Sequence, residues 1–157
     1  MRDEHVDAVV ATLAADGYRV SYSTTLVGRL QRQRGIHVGL HKAGLPGVDM
    51  LTEIHWRMRY AKAEASAMED LWDEARLAEL VGTSCFAMSH EWELIFLSVH
   101  ASRHLWRGLK WLADVYELCS RRRINWERVA DKAHRFGVMT EVEIEGRVGR
   151  FCVLLRR

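Results

Sequence analysis

The sequence predicts an α+β fold: a small mixed or antiparallel sheet in the N-terminal third, followed by a helical C-terminal part. Two observations carry that expectation. Between positions 18 and 58 the apolar residues are often β-branched and tend to alternate with polar ones, as in strands exposed on one face. Beyond Arg59 they recur every three or four residues, between capping residues and glycines, as in amphipathic helices.

The elements follow in order. Val6, Val9, Val10, Leu13 and Ala14 form one helical face over residues 3–16, and Gly17 is placed to end that helix. Residues 18–27 read as a first strand. In the second, Ile36, Val38 and Leu40 alternate with His37, Gly39 and His41. Gly44-Leu45-Pro46-Gly47 holds the only proline and makes a turn. Residues 48–58 form a third strand, expected to pair with the second as a hairpin. Met68, Leu71, Trp72 and Ala75 then line a helix face, with Gly82 following the helix end. Ser89 caps a helix with Glu91 and Glu93 in its first turn, where the dipole favours acids, and Trp92, Ile95, Phe96 and Val99 form its stripe. Leu109, Leu112, Val115 and Tyr116 mark another helix. Asn125 caps a last one, with Trp126, Val129, Ala130, Ala133 and Phe136 at helical spacing up to Gly137. The tail from Val138 carries no clear pattern, and Gly146 and Gly149 weaken a helix there.

Composition bounds the function. A chain of 157 residues holds one domain-sized core. The net charge of +2 points neither to nucleic acid nor to a membrane surface, and no apolar run is long enough to span a bilayer. The three cysteines, Cys85, Cys119 and Cys152, are too widely spaced for a zinc pattern and read as small buried hydrophobes in a reducing cytoplasm.

Two segments carry chemistry. Along residues 48–58, Leu51, Glu53, His55 and Arg57 share one face, while Ile54, Trp56 and Met58 share the other, core-like face. Glu53 is either part of a solvated strand face or a metal-binding carboxylate aimed into a cleft. A hairpin centred near Leu45 sets His37 opposite Glu53 and His41 opposite Asp49, and a one-residue slip reverses the faces. The second segment runs from His100 to Asp114. His100 and His104 lie four apart on one helix face. The glutamate of the H-E-x-x-H zinc motif is missing, since Ala101 occupies its position. His100, Arg103, His104, Arg107 and Lys110 make a strip of donors suited to phosphate oxygens. Asp114 pairs with Lys110 at i,i+4 or orients a cation toward a ligand. Trp106 and Trp111 either wall a pocket or fill core. No nucleophile elbow surrounds Ser98 or Ser102, and no Gly-rich phosphate loop occurs.

Taken in order, E-I-H-W-R-M (53–58), a tryptophan-bearing helix, S-H-E-W-E-L-I-F-L-S-V-H-A-S-R-H-L-W-R-G-L-K-W-L-A-D-V-Y-E-L (89–118) and I-N-W-E-R-V (124–129) resemble one family. It is the bacterial uncharacterised nucleotidyltransferase family, a branch of the DNA polymerase beta-like nucleotidyltransferase superfamily, and the likeness spans about residues 5–137. The resemblance implies that residues 1–60 form a partial nucleotidyltransferase-like α/β part, with residues 61–157 a helical part packed on it. It also implies transfer of a nucleoside monophosphate from a nucleoside triphosphate to a hydroxyl of an unknown acceptor. Such enzymes hold divalent metal, usually magnesium, on three carboxylates. Glu53 matches the third. The other two come from a D-x-D strand after a Gly-Ser turn, which would fall just before Met1; Asp3, Glu4 and Asp7 do not replace them. The expectation is therefore a truncated relative with impaired transfer. The alternative is a non-catalytic nucleotide-binding or protein-interaction module that self-associates through an exposed sheet edge. A zinc protein built on His100 and His104 is a third reading.

Overall fold

The structure, a computed structural model, describes residues 2–20, 37–44, 49–57, 64–105, 107–139 and 142. The chain divides into two compact units, Met1–Tyr60 and Ala61–Arg157.

In the first unit a 3₁₀ turn, Asp3–His5, leads into helix α1 (Val6–Ala15). Gly17, at φ +88°, takes the left-handed conformation that ends the helix at little cost for a residue without Cβ. Strands β1 (Arg19–Val20), β2 (His37–Ala43) and β3 (Asp49–His55) make an antiparallel sheet in that order. Val6 from α1, Val38 and Leu40 from β2, and Trp56 just beyond β3 form the buried core, with Val10, Leu13, Tyr18, Val20 and Ile54 packed around it. Helix α1 thus covers one face of the sheet. The even-numbered residues of β2 and β3 supply that face, and the odd-numbered residues project from the other.

The β2–β3 register is Gly39 opposite Glu53, His37 opposite His55 and His41 opposite Leu51. This corrects the expected pairing of His37 with Glu53 by two residues. The turn is centred at position 46 rather than 45, and a two-residue shift keeps every side chain on its expected face. The middle of that turn, residues 45–48, and most of the expected first strand, residues 21–27, lie outside the described residues.

In the second unit the long helix expected before Gly82 is shorter. Helix α2 (Glu64–Asp73) ends early, and strands β4 (Arg76–Leu80) and β5 (Thr83–Ala87) follow as an antiparallel hairpin. Gly82 is therefore a turn residue. It and Val81 both have positive φ, +74° and +50°, as a two-residue hairpin turn of type I′ demands. Helices α3 (His90–Arg103), α4 (Leu109–Arg121) and α5 (Trp126–Phe136) complete the unit.

The expected N-caps are in place. Ser89 Oγ accepts from the Trp92 amide at 3.4 Å, and Asn125 Oδ1 accepts from the Arg128 amide at 3.1 Å. Gly137, at φ +71°, ends α5. Helix α3 is the centre of the unit: Trp92, Leu94, Ile95, Ser98, Val99 and Ala101 are buried, and both α4 and α5 pack on it. Trp92 meets Phe136 edge to face, with centroids 6.1 Å apart. No helix among the described residues is long and apolar enough to cross a membrane.

Candidate functional site

Glu53 sits at the middle of β3, on the sheet face away from α1. Its side chain is 40% exposed. The alternation that buries Ile54 and Trp56 brings His55, two residues on, and His37, from the neighbouring strand, onto the same face. His55 Nε2 lies 3.3 Å from Glu53 Oε2, and His37 Nε2 lies 3.7 Å from Oε1. The two imidazoles stack with centroids 4.9 Å apart and planes 23° from parallel. A carboxylate is thus flanked at both oxygens by imidazole nitrogens across one hairpin. His41 and Leu51 continue this face and are exposed.

Glu53 offers a hard oxygen donor to a divalent cation. Among the described residues, no group of three or more His, Cys, Asp or Glu side chains is assembled to hold a metal ion.

The residues from His100 to Asp114 occupy a corner of the second unit rather than one helix. Helix α3 stops at Arg103. His104 is its C-cap, Leu105 has φ +52° and Gly108 has φ +131°, so the chain turns before α4 starts. His100 and His104 remain neighbours, with centroids 4.9 Å apart, and both pack on Trp111 of α4; the His104 and Trp111 rings lie nearly parallel, 11° apart. Phe96 also stacks on His100, with centroids 5.7 Å apart. Trp111 is half-buried, and Trp106 lies outside the described residues. Lys110 Nζ sits 4.4 Å from the Trp111 ring centroid and donates to Asp114 Oδ2 at 2.9 Å. Arg103, His104, Arg107 and Lys110 are exposed. The corner thus sets Lys110 over an imidazole–indole platform, with Arg103 and Arg107 exposed on the adjoining chain. Ser98 and Ser102 donate their hydroxyls to helix carbonyls at 2.7 and 2.9 Å, which makes them helix residues rather than nucleophiles.

A further charged cluster escaped sequence reading. Glu74, just after α2, accepts from Lys132 Nζ, from Arg128 Nη2 at 2.8 Å and from Ser89 Oγ at 3.2 Å. Burial of its carboxyl raises the pKa, but the hydrogen bonds and charges of Lys132 and Arg128 outweigh that, and the net value lies below the usual glutamate range. Lys132 is almost fully buried and lies over the Trp92 ring, 4.9 Å from its centroid. A lysine inside a helical stripe signals solvent in a sequence, so this burial left no trace there. Glu91 is buried too, accepting the Asn125 amide at 3.0 Å.

The chain matches the uncharacterised nucleotidyltransferase family over residues 1–144 and belongs to that family. No curated protein and no solved structure matches it.

Proposed function

We propose that this protein binds a nucleoside triphosphate together with a divalent cation, magnesium by family resemblance, in metal-dependent transfer of a nucleoside monophosphate to an acceptor hydroxyl. The observation that carries this reading is Glu53 at the centre of β3, on the face opposite the α1 core, with an imidazole nitrogen near each carboxylate oxygen. In this reading Glu53 anchors the cation, and His37 and His55 restrict how its carboxylate turns. A bound divalent cation supplies positive charge to the triphosphate oxygens and to the attacking hydroxyl.

The corner formed by His100, Arg103, His104, Arg107 and Lys110 is assigned separately to phosphate or acceptor binding, with Asp114 holding Lys110 in place. Arginine and lysine donors on an exposed corner match the charge of phosphates. Cys85, a thiol outside any disulfide among the described residues, accords with a reducing cytoplasm.

A second reading is nucleotide binding without efficient transfer. One experiment addresses both. A fluorescent nucleoside triphosphate is titrated with and without magnesium, and transfer is followed in the same samples. Magnesium-dependent binding that Glu53→Gln abolishes is the expected result. Binding that Glu53→Gln leaves unchanged removes Glu53 from the role. Binding with no transfer selects the second reading.

A further inference from the structure

The hairpin of β4 and β5 carries large, exposed apolar side chains. Leu77 is 71% exposed, Phe86 70%, Leu80 67% and Val81 96%. Leu77 and Phe86 are cross-strand partners, so they form one apolar pair on one face. Among the described residues no third strand lies beside either edge. A lone two-stranded hairpin is marginal in water and gains from further pairing.

The two edges differ. Strand β4 carries Arg76 and Glu79, charges of the kind that blunt an edge against pairing. Strand β5 reads Thr83-Ser84-Cys85-Phe86-Ala87, with no charge, no proline and no glycine. The hydrogen-bond alternation fixes which of its backbone groups face outward. In a two-residue hairpin the pair closing the turn, here Leu80 and Thr83, exchanges backbone hydrogen bonds, and alternate pairs do the same. Thr83, Cys85 and Ala87 therefore turn their amides and carbonyls toward β4. Ser84 and Phe86 turn theirs toward the open side.

Those two residues flank Cys85 symmetrically. An edge with this arrangement is complementary to itself under a two-fold rotation through Cys85.

We propose that β5 is a homodimer edge: a second copy of this chain pairs its β5 antiparallel against this one, with Ser84 opposite Phe86 and Cys85 opposite Cys85. The outcome is a four-stranded sheet in the order β4-β5-β5-β4. Each Phe86 lies across from a Ser84 and diagonal to the other Phe86, within reach of an aromatic ring. The two Leu77–Phe86 pairs then share one face, which merges two small apolar patches into one. Cys85 falls at a non-hydrogen-bonded pair, where the Cα atoms approach to about 4.5 Å, inside the range a disulfide bridges. This edge belongs to the hairpin of the second unit, not to the N-terminal sheet whose edge the sequence suggested, and the proposal stands whether or not Glu53 binds metal.

The test uses the full chain. Light scattering after size exclusion is run from about 1 to 100 µM, a range that brackets micromolar association. Parallel samples are treated with copper(II)–phenanthroline, which accepts the two electrons released as two thiols form a disulfide, and the cross-linked peptides are mapped. The expected result is a concentration-dependent dimer yielding a Cys85–Cys85 peptide. Phe86→Lys, a substitution at an exposed position, weakens the dimer by roughly tenfold or more. Ser84→Pro, which deletes an outward amide only, does likewise while circular dichroism stays native. A monomer at every concentration overturns the proposal, and so does a dimer that withstands Phe86→Lys and gives no Cys85–Cys85 peptide.

Discussion

Two carboxylates, one in each unit, sit beside basic side chains and are held in opposite ways. Glu74 meets Lys132 and Arg128, and its pKa falls below the ordinary range although burial alone raises it. Glu53 stands more exposed on a strand face, and its described ion-pair neighbours are the imidazoles of His37 and His55. Lys132 depends on its pair, because it is 4% exposed and a buried ammonium without a counter-charge is costly. The first carboxylate ties α2 to α5; the second keeps an acidic group on an open surface. A carboxylate neutralised by fixed cations is spent on structure. Glu53, half-exposed beside two imidazoles on a strand face, is the carboxylate to which the cation role is proposed.

The sharpest way to break the contrast is to remove each carboxylate. Glu74→Ala strands Lys132 beneath Trp92 and is expected to cost about 2–4 kcal/mol in urea unfolding. Glu53→Gln is expected to change stability by less than about 0.5 kcal/mol, as for substitutions outside a core. Similar losses at both positions would erase the distinction.

Acid sharpens it further. The folded-state pKa of Glu74 lies below its unfolded value, so its stabilising contribution is complete above the ordinary glutamate value of 4.5 and is lost as pH falls from there through the lowered folded value. The difference in unfolding midpoint between the native chain and Glu74→Gln should be widest near neutral pH and narrow as pH falls below 4.5 through the lowered folded value. A gap that widens in acid contradicts the assignment.

Smaller effects test the surroundings. Val81 is a β-branched residue at φ +50°, and Val81→Asn restores the Asn-Gly pair that a type I′ turn favours, with an expected gain of about 1 kcal/mol by thermal unfolding. Asp114→Asn breaks an exposed i,i+4 pair and should cost no more than about 0.5 kcal/mol.

The same residues show what a sequence can and cannot reveal. Alternation along β3 placed Glu53 and His55 on one face and Trp56 in the core, because side-chain parity survives a two-residue error in register. The turn around Pro46 did not specify its own centre, so the partner of Glu53 was misplaced onto His37 although both share a face. Ser89, Asn125, Gly17 and Gly137 were legible, since a cap needs only local geometry. The β4–β5 hairpin was not, because Val81-Gly82 lacks the asparagine or aspartate that announces such a turn, and five-residue strands carry little periodicity. The corner after α3 was hidden for a related reason: Leu105 adopts positive φ without being glycine or asparagine, so the spacing of His100, His104 and Asp114 suggested one continuous surface.

The central claim is that Glu53 serves a cation-bound nucleotide while Glu74 serves the fold. Isothermal titration of the native chain, Glu53→Gln and Glu74→Gln with ATP, each in magnesium and in excess chelator, tests it most directly. The account predicts magnesium-dependent binding in the native chain and in folded Glu74→Gln, and its loss in Glu53→Gln. Equal magnesium-dependent binding by the native chain and Glu53→Gln, or no magnesium dependence in the native chain, would contradict it.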